Sequence, residues 1–558
     1  MDVPASPTSA DRLAAPGESP STPRHPQPGG ARLARSAGVI GLATMTSRVL
    51  GLVRDLALAH VFGASHAMDA YMVAFRIPNL LRDLFAEGAM SSAFVPTFTR
   101  LLTLDGKPAA WRFGNLVITA LLLVTGALVL LGMAFAWPLV TFAAGEYASV
   151  PGKLELAVSL ARTMFPFLTL IALAVGFMGM LNSLRRFFLP AFAPAMFNIG
   201  TLVTMAVLIP IFRAQGVRPI FAVAIGTLVG GVGQVLVQWP MLRREGFRYR
   251  PLIDFKDPGL REVLTLMGPG TMALAAVQIN VLINTMLATS QGEGAVSCLN
   301  YAFRIMYLPI GLFGLSIATA ALPSLSRDAA RDDLDAMRGT FSSALRMMLM
   351  LNVPATLGLV ALATPIVALL FEHGSFTAGA TAGTAAALVC YAPGLIGYSA
   401  IKLAVPTFYA LHDSRTPVIV GAVSVVFNIA LNLMLVRWLG FQGLALGTAA
   451  SALFNGVLLM WLLRLKLGGI DGRRVSVAFA KVALASLVMA VVVWAGERWL
   501  EGMLPGTAVM VKLLRVGVGI GLGLGALALA ARALRIAEFD DAIRVVTAKF
   551  MSPEPTQG

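Results

Sequence analysis

The apolar segments of this chain carry charged residues at positions where a membrane-spanning helix would be uncharged. The first long apolar stretch contains Arg48, Arg54 and Asp55. Two later stretches add Asp69, Arg76, Arg82, Asp83, Glu87 and Arg304. Each charge at the centre of a bilayer costs about 2.5–3.5 kcal/mol on insertion scales. We therefore expect these residues to face a polar cavity, and their excess of positive charge predicts an anionic ligand.

Composition places the chain among membrane proteins. Of its 558 residues, 57% are hydrophobic and only 13% are charged, whereas soluble domains have roughly a quarter charged residues. The two cysteines, Cys298 and Cys390, both lie in apolar stretches, so no disulfide framework is indicated. We predict an all-α polytopic membrane protein.

Fourteen apolar segments can be drawn along the sequence. They span 36–58, 67–100, 113–139, 156–181, 188–212, 219–242, 262–290, 295–326, 342–371, 378–411, 416–436, 441–463, 476–496 and 509–531. With the N-terminus inside, and with Lys and Arg at the segment ends counted with the adjoining loops, the cytoplasmic parts hold 29 Lys and Arg, the opposite loops 6, and the interiors of the segments 8. The positive-inside rule then predicts that both termini are cytoplasmic. Because topology and anionic lipid headgroups explain the net charge of +15, we expect no nucleic-acid partner.

Short motifs recur at a nearly constant offset. AFRI at 74–77 returns at 302–305, VPTFTR at 95–100 returns as LPSLSR at 322–327, and FNIG at 197–200 returns as FNIA at 427–430. The offset spans six segments, so both copies insert in the same orientation. We expect two six-helix parallel-repeat bundles, with the binding site between them and transport by alternating access. The predicted domains are a disordered cytoplasmic tail at 1–35, bundles at 36–250 and 251–470, transmembrane helices 13 and 14 at 471–535, and a cytoplasmic tail at 536–558.

The second segment is unusual. Residues 67–100 as one helix would be about 50 Å long, which exceeds the roughly 30 Å of hydrocarbon, and Pro78 is expected to kink it. Arg76 has two readings: a cavity residue, or a side chain that snorkels or caps a kinked helix. Asp69 is expected to be a gate, a helix cap or a ligand contact. Asn280, Asn284, Asn428 and Asn432 are expected to bond between helices rather than to bind a cation.

Two stretches carry a family resemblance. TSRVLGLVRD, followed by DAYMVAFRIPNLLRDLFAEGAMSSAFVPTFTR, is similar to the signature of the MurJ/MviN family of bacterial lipid II flippases, and RTP at 415–417 also resembles that family. The resemblance extends over about residues 36–530. It implies the fold of the multidrug/oligosaccharidyl-lipid/polysaccharide exporter superfamily. It also implies movement of undecaprenyl-diphosphate-linked peptidoglycan precursor, lipid II, to the outer leaflet of the bacterial cytoplasmic membrane.

The resemblance further implies a set of substrate-binding residues. They are Ser47, Arg48, Arg54, Asp55, Arg82, Glu87 and Arg304, with Asp69 as a gate or secondary residue. Arg76 is a further gate or secondary candidate, because it occupies the position in the first repeat that Arg304 occupies in the second. A structural salt bridge is the other reading of these arginines. Two positions depart from the family pattern: Phe303 stands where relatives can carry an acid, and Asp83 stands where a basic residue often follows Arg82. Expected partners are lipid II, membrane lipids and proteins of cell-wall synthesis or division.

Other functions were weighed against this one. The sequence contains no GxxxxGK[ST], HExxH or CxxC motif, so we expect a transporter without ATP site, metal or cofactor rather than an enzyme. A flippase for another polysaccharide lipid is an alternative, because its substrate would carry the same diphosphate. A cation-coupled drug exporter of the same superfamily would favour an acidic or neutral cavity, and a membrane scaffold would not need arginines in both halves.

Overall fold

The described part of the chain is built from α-helices. A computed structural model describes residues 29–83, 94–254, 256–506 and 508–541, and no β-strand occurs among them. The predicted all-α class is therefore confirmed. Residues 1–28 and 542–558 lie outside the described residues, as does most of the predicted N-terminal tail.

Among the described residues, nine helices form what we call the N-terminal half. They are α1 (Gly29–Phe62), α2 (His66–Arg82), α3 (Val95–Leu104), α4 (Gly106–Ala134), α5 (Ala136–Ala144), α6 (Lys153–Met164), α7 (Phe167–Ser183), α8 (Phe188–Ala214) and α9 (Phe221–Arg244). Helix α1 begins at Gly29, before the predicted start of the first segment. Helix α2 continues through Pro78 and its last residue is Arg82.

In the described part of the chain after Arg244, nine further helices form the C-terminal half, and a two-helix hairpin follows. The half consists of α10 (Pro258–Thr289), α11 (Ala295–Pro309), α12 (Leu315–Ala330), α13 (Leu334–Ala361), α14 (Ala363–Phe371), α15 (Ala378–Tyr391), α16 (Gly394–Ala410), α17 (Arg415–Leu439) and α18 (Phe441–Lys466). The hairpin is α19 (Gly472–Met503) and α20 (Val509–Ala533). Helix α19 packs on α13, so the hairpin lies against the C-terminal half.

The two halves repeat the same breaks in their helices. The break between α4 and α5 at Phe135 and that between α13 and α14 at Leu362 are 227 positions apart. Pro166 separates α6 from α7, and Pro393, also 227 positions later, separates α15 from α16. Proline lacks the N–H that would continue the helical ladder, so both breaks have the same physical cause.

Helices α8 and α17 have similar packing. Helix α8 packs on α1 and α9 in the N-terminal half, and α17 packs on α10 and α18 in the C-terminal half. Small residues allow these close approaches. A Cβ on Gly200 would lie 2.6 Å from Gly230 of α9, and a Cβ on Gly397 would lie 2.4 Å from the backbone of Ala452 in α18. Small residues at helix contacts are typical of membrane bundles.

Three asparagines join α10 to α17. The Asn284 amide donates to Asn428 Oδ1 at 3.2 Å, and the Asn432 amide donates to Asn284 Oδ1 at 2.7 Å. Asn428 and Asn432 are almost fully buried. The prediction that these side chains bond between helices is confirmed for this group.

Several helices have the length and apolarity that a membrane requires. Among the described residues, ten spans are long and apolar enough to cross a membrane. The number is eleven if the pair α15–α16, bent by 45°, is one span. The chain is therefore a multi-pass membrane protein. Three of the fourteen predicted segments, carried by α1, by α2 with α3, and by α10, are not among these spans. Two of the three carry the intramembrane charges of the N-terminal half, whereas Arg304 lies in the span Ala295–Ala330.

Candidate functional site

A polar cavity lies between the two halves. It is enclosed by α1 and α2 of the N-terminal half and by α10 and α11 of the C-terminal half, and its volume is about 180 Å³. The charged residues in its wall are Arg54, Asp55, Arg76 and Arg304. Its uncharged polar residues are Tyr71, Asn79, Thr285, Asn300 and Tyr301. Three arginines against one carboxylate leave this wall with a net positive charge.

Asp55 connects arginines from both halves. Arg54 Nη2 donates to Asp55 Oδ1 at 2.8 Å, and Arg304 Nε forms an ion pair with Asp55 Oδ2 at 2.9 Å. Asp55 is 7% exposed and Arg54 is 11% exposed, whereas Arg304 is 53% exposed and faces the cavity. Arg54 also stacks on the ring of Phe197 at 5.1 Å. One carboxylate therefore orients two guanidinium groups toward the same space.

Arg76 lines the cavity without an acidic partner. Among the residues that the structure describes, no carboxylate lies within 4.0 Å of its guanidinium, and the side chain is half-buried. The reading of Arg76 as a cavity residue is thus consistent with its position. Its guanidinium therefore adds to the positive charge of the cavity wall.

Asp69 lies outside the cavity and joins the halves at one end of the molecule. Its carboxylate accepts hydrogen bonds from Gly294 N at 2.8 Å, Ser297 N at 3.0 Å and Ser297 Oγ at 2.7 Å, which caps α11. Lys153 Nζ lies 3.3 Å from Asp69 Oδ2, and both side chains are almost fully buried. We call this group the Asp69 latch. Of the three expected roles of Asp69, the geometry matches a helix cap across the two halves.

Further contacts close the same end. The His66 backbone donates to Glu293 Oε1 at 3.2 Å, and Ser375 N donates to the His60 carbonyl at 2.8 Å. Gly294 has φ +77°, and a Cβ there would lie 2.7 Å from the Ala64 carbonyl, so this close approach requires glycine.

The opposite end is joined by an exposed ion pair and by contacts of Asp83. Arg100 of α3 and Glu262 of α10 form a bidentate ion pair with a shortest distance of 2.6 Å, and their side chains are 52% and 37% exposed. Arg82 pairs with Asp83 at 2.7 Å, and Gln278 of α10 donates to the other oxygen of Asp83 at 2.8 Å. Asp83, the departure from the family pattern, is therefore a contact between the halves.

Other predicted residues lie away from the cavity or outside the described residues. The Ser47 carbonyl accepts a hydrogen bond from Asn198 at 3.1 Å, and Arg48 is exposed beside Gly311 of the C-terminal half. Arg82 does not line the cavity, and Glu87 lies outside the described residues. Phe303, the second departure, packs against Tyr307, Tyr391 and Tyr398.

The RTP motif begins α17 and has a structural role there. Asp413 Oδ1 accepts from Thr416 N at 3.0 Å, and Asp413 Oδ2 accepts from Thr416 Oγ1 at 2.7 Å and Lys466 Nζ at 2.6 Å. The hydrogen bond from Lys466, together with those from Thr416, holds the pKa of the Asp413 carboxyl well below its ordinary value. The motif thus ties the start of α17 to the end of α18.

Sequence reasoning missed Lys153 and the cavity amides. In the sequence Lys153 resembles an ordinary loop lysine, and no adjacent residue indicates a buried ion pair. Asn79 and Asn300 could have been found, since they lie three residues after Arg76 and four before Arg304, on the same helix faces. No group of three or more potential metal ligands occurs among the described residues.

Comparison with known proteins accounts for this arrangement. The profile of the lipid II flippase MurJ family matches residues 58–514, which include Arg76 and Arg304 of the cavity and begin just after Arg54 and Asp55. The chain belongs to the lipid II flippase MurJ family. It is 37% identical over 426 residues to the lipid II flippase MurJ of Burkholderia cenocepacia, covering 75% of this chain and 82% of that protein. It is 36% identical over 470 residues to the probable lipid II flippase MurJ of Vibrio cholerae, covering 82% and 88%.

Solved structures agree with membership of the MurJ family. A structure described as lipid II flippase MurJ in an inward closed conformation aligns with a TM-score of 0.72 at 27% identity, covering 89% of this chain and 99% of that one. A multidrug resistance MATE family transporter of the MOP superfamily aligns with a TM-score of 0.63 at 16% identity, covering 78% and 99%. The second likeness concerns the fold alone. Family membership makes this chain a transporter.

Proposed function

We propose that this chain is a flippase that moves lipid II from the inner to the outer leaflet of the bacterial cytoplasmic membrane. The observation that carries the proposal is the cavity in which Asp55 holds Arg54 and Arg304 from opposite halves, with Arg76 nearby. Membership of the lipid II flippase MurJ family supplies the substrate.

The diphosphate is the part of the substrate that suits this cavity. Arginine binds phosphate oxygens through a planar fork of donors and stays charged in a partly buried site. Three arginines and one carboxylate leave a charge of about +2 in the wall, which complements a diphosphate. Uncharged sugars would not require this charge, so the diphosphate explains the arginines best.

Asp55 competes with the substrate for the arginines of the cavity. In the closed cavity its single negative charge is shared between Arg54 and Arg304 and reduces the cost of holding both in the membrane. An entering diphosphate takes its place at Arg304, the more exposed of the two. Asp55 rebinds Arg304 when the substrate leaves, which favours release.

We infer a layout of fourteen spans, namely two six-helix bundles at 36–250 and 251–470 and the hairpin within 471–535. The matched breaks at Phe135 and Leu362, and at Pro166 and Pro393, support the parallel repeat. The distribution of Lys and Arg supports cytoplasmic termini. In this orientation the Asp69 latch is at the outer face and Arg100 is at the cytoplasmic face.

The contacts at the two faces support alternating access. The Asp69 latch at the outer face is buried, whereas the cytoplasmic pair Arg100–Glu262 is exposed and accessible to water. The cavity, at about 180 Å³, is smaller than the roughly 300–1,000 Å³ of sites for drug-sized ligands. We infer that the halves separate at the cytoplasmic face to admit the headgroup and then at the outer face to release it.

A drug exporter is the second candidate, because the MATE transporter shares the fold. The excess of arginine over carboxylate in the cavity disfavours organic cations, and we do not adopt this candidate. Membrane lipids are proposed partners because they surround the spans. Proteins of cell-wall synthesis or division are proposed partners because they would use the substrate that the chain delivers.

The test is a transport assay in vesicles that contain purified protein and labelled lipid II. We expect the wild type to expose the headgroup to a reagent outside the vesicles, and Arg54→Ala to abolish this exposure. Arg213→Ala, a cation outside the cavity, is the matched control and should transport normally. Normal transport by Arg54→Ala, or none by the wild type, would contradict the proposal.

A further inference from the structure

Two amide side chains accompany the arginines of the cavity. Asn79 lies on α2 three residues after Arg76, and Asn300 lies on α11 four residues before Arg304. Residues three or four apart occupy the same helix face. Helix α2 of one half and helix α11 of the other therefore each present one arginine and one amide to the cavity.

Both amides have hydrogen-bonding groups without a partner among the described residues. Asn300 Nδ2 donates to the Val296 carbonyl at 3.2 Å, and within the described ranges its Oδ1 has no partner; the side chain is exposed to the cavity. The half-buried Asn79 side chain likewise has no hydrogen-bond partner among the described residues. The amides of Asn284, Asn428 and Asn432, by contrast, bond to one another between helices.

The chemistry of an amide differs from that of its neighbouring arginine. A diphosphate is an acceptor only, and the arginines supply donors for it. An amide both donates and accepts without charge, which matches the hydroxyl and acetamido groups of an amino sugar. Such groups lie next to the diphosphate in a sugar-bearing lipid, and the amides lie next to the arginines in the cavity.

We propose that Asn79 and Asn300 bind the sugar attached to the diphosphate and select a sugar-bearing lipid over the bare lipid diphosphate. The proposal rests on the proposed function, because it assumes that the arginines hold the diphosphate. A site built to hydrogen-bond a substrate group discriminates against the analogue that lacks the group. Selectivity would thus come from the amides, and charge recognition from the arginines.

The experiment measures binding of two probes to the purified protein in lipid nanodiscs. One probe is undecaprenyl diphosphate, and the other is the same lipid diphosphate carrying N-acetylmuramoyl pentapeptide. We expect Asn300→Ala and Asn79→Ala each to weaken binding of the sugar-bearing probe about three- to tenfold, the usual effect of one lost hydrogen bond. Binding of the bare diphosphate should stay unchanged, and this also verifies that the variants fold.

A second variant and a control sharpen the result. Asn300→Asp keeps the side-chain shape but adds a carboxylate one turn from Arg304. It should therefore weaken the binding of both probes. Asn182→Ala, at the end of α7 and outside the cavity wall, should bind both probes as the wild type does.

The outcomes separate the two proposals. Equal losses for both probes in Asn79→Ala and Asn300→Ala, or no loss for either, would overturn the role of the amides while leaving the proposed function in place. A wild type that binds neither probe would overturn the proposed function and this inference with it.

Discussion

The Asp69 latch allows a quantitative prediction about the contact between the halves. In Lys153→Met, the carboxylate of Asp69 stays buried and loses its only charged partner among the described residues. Removing one member of a buried ion pair costs about 3–5 kcal/mol. Asp69 keeps its hydrogen bonds from Gly294 and Ser297, so we expect the lower end, about 3 kcal/mol.

Part of this energy should appear as a change in conformation. The latch joins α2 to α11, so its loss favours the state in which that end is open. A shift of about 3 kcal/mol is more than a hundredfold change in the ratio of open to closed molecules. Cys298, which follows Ser297 and is 5% exposed, is a native reporter of this opening.

The assay combines thermal unfolding with the rate of Cys298 alkylation in a Cys390→Ala background. We expect Lys153→Met to unfold at a lower temperature and to react much faster at Cys298. Lys402→Met removes an exposed lysine and should change neither quantity. If Lys153→Met unfolds like the wild type and its Cys298 reacts at the same rate, the reasoning about the latch is refuted.

Three further predictions concern other contacts. Asp55→Asn removes the competitor at Arg304 and should tighten binding of undecaprenyl diphosphate while slowing transport; weaker binding would contradict this. Asp413→Asn should lower the unfolding temperature at pH 7 by removing a network worth on the order of 1 kcal/mol. Because the folded-state pKa of Asp413 is depressed, its contribution is present above the unfolded pKa of about 3.9 and fades as pH falls below it, so the difference between variant and wild type should shrink in acid. Gly397→Ala would place a Cβ 2.4 Å from the backbone of α18 and should cost about 1–3 kcal/mol, whereas Gly421→Ala, with no atom within 4 Å, should cost nothing in the same unfolding measurement.

The sequence predicted the helices better than their breaks. Apolar runs indicate where helices lie, and every predicted segment overlaps at least one observed helix. The predicted segments 156–181 and 378–411 were drawn as continuous, but the helices break at Pro166 and Pro393. One proline changes the mean hydropathy of a long apolar run very little, so the hydropathy pattern does not show the break.

The candidate site was partly readable for a similar reason. A charge inside an apolar segment is conspicuous, and Arg54, Asp55, Arg76 and Arg304 all line the cavity. The pairing of Asp55 with Arg304 was not predictable, because it depends on how two distant helices face each other. The cavity amides were inconspicuous because an uncharged amide in a membrane helix more often bonds to another helix.

The central claim is that arginines from both halves hold the diphosphate, and the affinity of Arg304→Ala for undecaprenyl diphosphate tests it most directly. Loss of charge-assisted hydrogen bonds worth about 1.5–3 kcal/mol should weaken binding roughly 10- to 100-fold. Arg304→Lys should recover only part of this affinity, since an ammonium lacks the bidentate geometry. Arg162→Ala, which removes an exposed arginine bonded to the Met133 carbonyl outside the cavity, should bind as the wild type does. A folded Arg304→Ala protein that binds the lipid diphosphate with wild-type affinity would contradict the account.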